Sequence, residues 1–166
     1  MEVMMQELWL EKEPSAVYGG KINQLINLFQ LGLSVPKALI LPADQVMAWL
    51  TAALTEYSEQ GLKELIELGK EDIAARLQQC PLDPAWLREL AAFCQENQVY
   101  IVRSSALLED GQAMSFAGQY DSIGNCQTLS EIEQGIRSCL LSLFNPEALA
   151  YWQRQGLAEQ DFAMAV

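Results

Sequence analysis

Three short stretches hold the residue types that grip phosphate. In the first, Tyr18-Gly19-Gly20-Lys21, two glycines precede a lysine. Glycine lets backbone approach a ligand closely, and a helix opening at Lys21 would turn unpaired N–H groups and its positive dipole end toward an anion. The spacing is not the GxxxxGK[ST] of a P-loop, and a glycine turn carrying a solvated lysine also fits it. In the second, Arg103-Ser104-Ser105 follows the apolar run Tyr100-Ile101-Val102. A guanidinium at the carboxyl end of a strand is a planar donor where open sheets present their ligands. The competing reading pairs Arg103 with Glu109 or Asp110 just downstream. In the third, Ser115-Phe116-Ala117-Gly118-Gln119, small residues surround one aromatic. Such a loop can fold over phosphate with its backbone N–H groups and serine hydroxyl, or be a plain hairpin loop with Phe116 pinned in the core.

These stretches need elements to hold them. Ile22, Leu25, Ile26, Leu28 and Phe29 repeat at helical spacing after Lys21, and Gly32 is placed to end that helix. Lys37 to Leu41, between Pro36 and Pro42, is too short for a helix and is expected to be a buried strand. Helices are expected from Asp44 to about Thr55, through Leu62 to Gln79, and from Asp83-Pro84, with aspartate at the N-cap and proline at the first helical position. Val99 to Val102 is expected as a strand and Gln119 to Asn125 as its partner across the loop. Thr128 and Glu131 have the spacing of a capping box, Asn145-Pro146-Glu147 restarts a helix that Gly156 ends, and Phe162 to Val166 begins another strand. Strands and helices in this order imply an α+β fold with a mixed sheet and packed helices.

Composition narrows the function. With 166 residues and 51% hydrophobic content, the chain can bury a real core. A formal charge of −12 argues against a nucleic-acid or anionic-membrane binder, so any phosphate must be held locally. The acidic N-terminus is unlike a secretory signal, and no apolar run nears the roughly 20 residues of a membrane span, so a cytoplasmic protein is expected. Cys80, Cys94, Cys126 and Cys139 are widely spaced and no histidine is present, which predicts reduced thiols and no metal site. Glu109 and Asp110 are read as solvated surface, and Trp9, Trp49, Trp86 and Trp152 as packing residues. The chain also lacks the usual phosphoryl-carrying imidazole.

Taken in order, GGK-INQL, LGLSVPKALIL, IVRSSALLEDGQAMSFAGQYDSIGN and the final FAMAV resemble the N-terminal ATP-binding region of phosphoenolpyruvate synthases and pyruvate phosphate dikinases, with the synthase form the nearer. The resemblance covers nearly the whole chain and is weakest between Gln45 and Glu96. It implies that residues 1–166 are the first subdomain of an ATP-grasp fold, with ATP as the nucleotide. By the same resemblance, Lys21 and Arg103 hold its phosphates, and Ser115, Phe116, Ala117, Gly118 and Gln119 form the covering loop. It further implies magnesium bound mainly by residues beyond Val166, and transfer of phosphate to a histidine on a separate domain and then to pyruvate. The second ATP-grasp subdomain and the phosphohistidine and pyruvate domains are then expected outside this stretch, with no catalytic residue inside it and the chain inactive alone. Related enzymes use rifampin or glucan as acceptor. A non-catalytic nucleotide-sensing or interaction module is the reading from a different class. Where the family usually has a small residue after GGK, this chain has Ile22-Asn23.

Overall fold

A computed structural model describes residues 6–7, 13–54, 67–107, 120–156 and 162–166. In chain order the elements are β1 (Gln6–Glu7), α1 (Gly19–Gln30), β2 (Leu39–Ile40), α2 (Ala43–Ala53), α3 (Lys70–Gln79) and α4 (Pro84–Phe93). Then come β3 (Tyr100–Arg103), β4 (Ser105–Ala106), β5 (Ser122–Cys126), α5 (Leu129–Leu141), a 3-10 turn (Ser142–Phe144), α6 (Pro146–Gln155) and β6 (Met164–Ala165). The α+β expectation holds, and every strand pairing among the described residues is antiparallel.

The ends of the elements follow local chemistry. Asp83 accepts the amide of Ala85 at 2.7 Å, with Pro84 at the first helical position of α4. Thr128 Oγ1 accepts the amide of Glu131 at 3.2 Å while the Glu131 carboxylate accepts the amide of Thr128 at 2.9 Å, the expected capping box. Helix α1 stops at Gln30, two residues before Gly32 at φ +78°, and α6 ends on the left-handed Gly156. Arg137 of α5 closes the C-terminus of α3 by donating to the carbonyls of Leu77 and Cys80, each at 3.0 Å. The expected helix beginning near Leu62 lies partly outside the described residues, as do Trp9, Glu109 and Asp110.

The described strands form three two-stranded sheets, and the end of β6 joins two of them, β4–β6 and β1–β2. Ser105 pairs with Ala165 and Ala106 with Met164 on one side. On the other, Leu41 and Val166 exchange both backbone hydrogen bonds, at 2.8 and 3.0 Å. β1 adds to β2, and β3, which leads through Ser104 into β4, pairs with β5. Helices cover both faces. The smaller core packs Ile22 and Ile26 of α1 against Ile40, Ala163 and Ala165. The larger one packs α3, α4 and α5 against Val102, Cys126 and Met164, and includes fully buried Leu77, Trp86 and Leu140. The indole N–H of Trp49 donates to the carbonyl of Pro81 at 3.0 Å, and its ring lies 6.1 Å from that of Trp86. Trp152 packs edge-on against Phe162, so the three described tryptophans serve packing as their positions suggested.

Gly135 sets how closely α5 approaches the strand that carries Arg103. A Cβ there would stand 2.9 Å from Cγ2 of Val102 and 3.5 Å from Cβ of Ile123. The Gly135→Leu variant is expected to lose about 1–3 kcal/mol through overpacking, read as a lower urea midpoint with an unchanged slope.

Candidate functional site

The first turn of α1 lies against the β3–β4 junction. Gly19 has φ +70°, and a Cβ on it would fall 2.2 Å from the carbonyl oxygen of Ser105 and 2.7 Å from that of Ala106. Only glycine lets the helix start here, since both the backbone angle and the strand carbonyls exclude a side chain. The close approach it permits is to β4. The amide of Ile22 donates to Oγ of Ser105 at 3.2 Å, and the ammonium of Lys21 donates to the carbonyl of Ser104 at 3.0 Å. One of the helix-end donors is thereby met by a strand serine.

Asn23 fastens the approach to the helix. Its side-chain carbonyl accepts the amide of Ser15 at 2.9 Å and its amide group donates to the carbonyl of Ser15 at 3.0 Å. Ile22 is buried in the smaller core, so the bulky residue that follows Gly19-Gly20-Lys21 points into packing. Neither role was legible from the residue types. The polar partners lie up to 83 positions apart in sequence, and serine or asparagine alone does not announce them.

Arg103 is the last residue of β3, as its place after an apolar run predicts, and its side chain is exposed. Ser105, two residues on, touches α1 directly. Lys21 holds the carbonyl of the residue between them, Ser104. Of the expected site residues, Lys21 thus reaches the carboxyl end of the strand that Arg103 closes. Such a pair of cations suits an anionic ligand. Ser115, Phe116, Ala117, Gly118 and Gln119 lie outside the described residues.

Beneath this junction the groups are buried and tightly placed. Ser104 is fully buried, and its hydroxyl oxygen has no hydrogen-bond partner. Cys139 of α5 is also fully buried and donates to the carbonyl of Asp121 at 3.4 Å. Burial, followed by the negative charge of Asp121, pushes its thiol up to about 12, with the positive charge of Lys21 opposing. Burial raises the Cys126 thiol as well. All four cysteines are free, and among the described residues no group of three or more His, Cys, Asp or Glu is placed to hold a metal.

Two outcomes follow from this geometry. Gly19→Ala is expected to cost at least about 2 kcal/mol, measured by denaturant unfolding, because positive φ and a backbone collision act together. The Cys139 thiol is more acidic in the unfolded chain than in the folded one, so its contribution to stability is full below the ordinary thiol value of 9.0 and is lost as pH rises toward about 12. Cys139→Ser is expected to flatten that alkaline part of the stability profile, and in the native chain Cys139 should stay unlabelled by iodoacetamide at pH 8 until the protein unfolds.

Residues 15–166 match the family model described as "Pyruvate phosphate dikinase, AMP/ATP-binding domain". The chain is 30% identical to a probable phosphoenolpyruvate synthase of Methanocaldococcus jannaschii, over 90% of this chain and 14% of that protein. It is 30% identical to the phosphoenolpyruvate synthase of Escherichia coli, over 89% of this chain and 21% of that enzyme. It is 29% identical to a rifampicin phosphotransferase of Streptomyces sviceus, over 95% of this chain and 20% of the relative. The chain therefore spans no more than about a fifth of the length of these relatives. A helix start pinned to a strand end that Arg103 closes, and a family match over nearly the full length, agree: this chain belongs to the pyruvate phosphate dikinase AMP/ATP-binding domain family.

Proposed function

We propose that this chain is the first subdomain of an ATP-grasp nucleotide site in a cytoplasmic, phosphoenolpyruvate-synthase-like phosphotransferase. Lys21 and Arg103 hold the phosphates of ATP, and Ser115 to Gln119 cover them. The observation that carries this reading is the ammonium of Lys21 seated 3.0 Å from the carbonyl of Ser104, beside Arg103 at the strand end. On a chain of net charge −12, two cations held there make a local positive site in a negative surround. The work such a site does in phosphoryl transfer is positioning and charge neutralisation, which a lysine and an arginine supply without a general base.

By the family resemblance, phosphate leaves this site for a histidine carried by another domain and passes from there to pyruvate, and this chain has no histidine of its own to carry it. By the same resemblance, magnesium is assigned mainly to residues beyond Val166. Pyruvate is favoured as acceptor by the phosphoenolpyruvate synthases among the relatives, and rifampicin is the second reading because rifampicin phosphotransferases are also among them. A nucleotide-sensing module without catalysis is excluded if the native protein forms phosphohistidine from ATP.

In the full-length enzyme, Lys21→Ala and Arg103→Ala are each expected to weaken ATP binding about 10- to 100-fold, the equivalent of one charge-assisted contact of roughly 1.5–3 kcal/mol. Circular dichroism melting would separate this from unfolding, and unchanged affinity and turnover in both variants would remove the clamp assignment. Residues 1–166 alone are expected to bind Mg-ATP weakly by calorimetry and to show no turnover, since one side of the cleft is absent. Tight binding by the isolated chain would overturn that.

A further inference from the structure

Helix α5 crosses behind the end of β3. Gly135 lies against the side chains of Val102 and Ile123, and one turn further on Cys139 is fully buried. Its thiol stands 3.4 Å from the carbonyl of Asp121 and 3.7 Å from that of Val102. The backbone N–H groups of Ser104 and Ile123 also act on the sulfur. Arg103 and Ser122 form the last pair of the β3–β5 ladder, and these four groups belong to the residues before and after each of them. Val102 turns its side chain to α5, so Arg103, next along the strand, points to the opposite face. The thiol therefore sits directly behind the rung that carries Arg103.

The residue beyond this rung gives the contact its consequence. At Ser104 the chain leaves its pairing with β5 and passes into β4, which pairs with β6. Ser104 is fully buried and its hydroxyl has no partner, so the residue is held through its backbone. Its amide faces the sulfur of Cys139, and its carbonyl accepts from the ammonium of Lys21 at 3.0 Å. The charges of Lys21 and Asp121 both reach the sulfur, so it lies close beneath the site. A thiol suits this place because it can donate and accept while adding little bulk between a helix and a strand.

We propose that Cys139 is a positioning residue of the phosphate site: its thiol holds the Arg103–Ser122 rung and the amide of Ser104 from behind, and so fixes the strand end on which Lys21 is seated. It touches no ligand and acts through the backbone of β3 and β5. The functional part of this inference rests on the ATP reading, and the positioning part does not.

The test uses the full-length enzyme with Cys139→Ser, which keeps a donor and an acceptor, and Cys139→Ala, which is nearly the same size and keeps neither. Cys126→Ala removes the other buried thiol, at the far end of β5 opposite Tyr100, and controls for lost packing. Circular dichroism melting sets a temperature at which all variants are folded, and Cys139→Val, which fills the site without a donor, replaces an alanine variant that does not fold. Without nucleotide, acetylation of Lys21 by acetic anhydride is followed by mass spectrometry relative to exposed Lys37. Cys139→Ala is expected to raise the Lys21 rate about three- to tenfold, the equivalent of one hydrogen bond, with Cys139→Ser and Cys126→Ala within about twofold of the native enzyme. ATP affinity, by calorimetry, is expected to fall by a similar factor in Cys139→Ala and to be kept in the other two. An unchanged Lys21 rate in Cys139→Ala would overturn the proposal, as would an equal rise in Cys139→Ser or in Cys126→Ala. ATP affinity kept by Cys139→Ala but lost by Lys21→Ala overturns it as well. A raised Lys21 rate in Cys139→Ala, where Lys21→Ala itself leaves ATP affinity unchanged, keeps the positioning and removes the ATP reading instead.

Discussion

The contact between the first turn of α1 and the β3–β4 junction is the constraint on which the rest of the site depends. Three consecutive features of the helix meet the strand: Gly19 without a side chain, the ammonium of Lys21 on the carbonyl of Ser104, and the amide of Ile22 on the hydroxyl of Ser105. A helix that starts two ångströms further out would lose both hydrogen bonds and carry Lys21 away from Arg103. The fully buried Ser105 hydroxyl is satisfied by this contact, and a buried donor or acceptor left unmet costs about 1–3 kcal/mol. Helix placement and site geometry are therefore one structural fact.

The layers on either side hold that junction in place. Ile22 and Ile26 anchor α1 to the smaller core, and the Asn23–Ser15 pair ties down the chain that enters it. From below, Gly135 brings α5 onto Val102, and Cys139 lies between Val102 and Asp121 as a neutral thiol. A charged group at Cys139 would be poorly solvated there, which is why burial dominates its raised acidity constant. The charge at this end of the sheet is left to Lys21, Arg103 and exposed Asp121, where solvent or a ligand can reach it.

Much of the framework was legible in sequence because it rests on local chemistry. The capping box at Thr128 and Glu131, the Asp83-Pro84 helix start and the stops at Gly32 and Gly156 each depend on neighbours within a few residues. Arg103 at a strand end was legible for the same reason, since apolar alternation ends there. The pairing of β3 with β5 followed from two strand-like runs around one loop, but its irregular register between Tyr100 and Val102 did not, because an extra residue in a ladder leaves no mark on composition. The covering loop, Ser115 to Gln119, lies outside the described residues and stays a reading of sequence alone.

By itself, the sequence determined the residue types available for gripping phosphate, the absence of any histidine to carry it, and the strands and helices whose signals are local. Tertiary structure alone decided that Gly19 faces the carbonyl of Ser105, that Ser105 caps a helix 83 positions away, and that Lys21 arrives one residue from Arg103. It also decided that β6 sits between β2 and β4. The division has a physical cause. Caps and turns are settled by the few residues that form them, whereas long-range contacts are chosen by which apolar faces bury one another, and only then do the polar groups between them find partners.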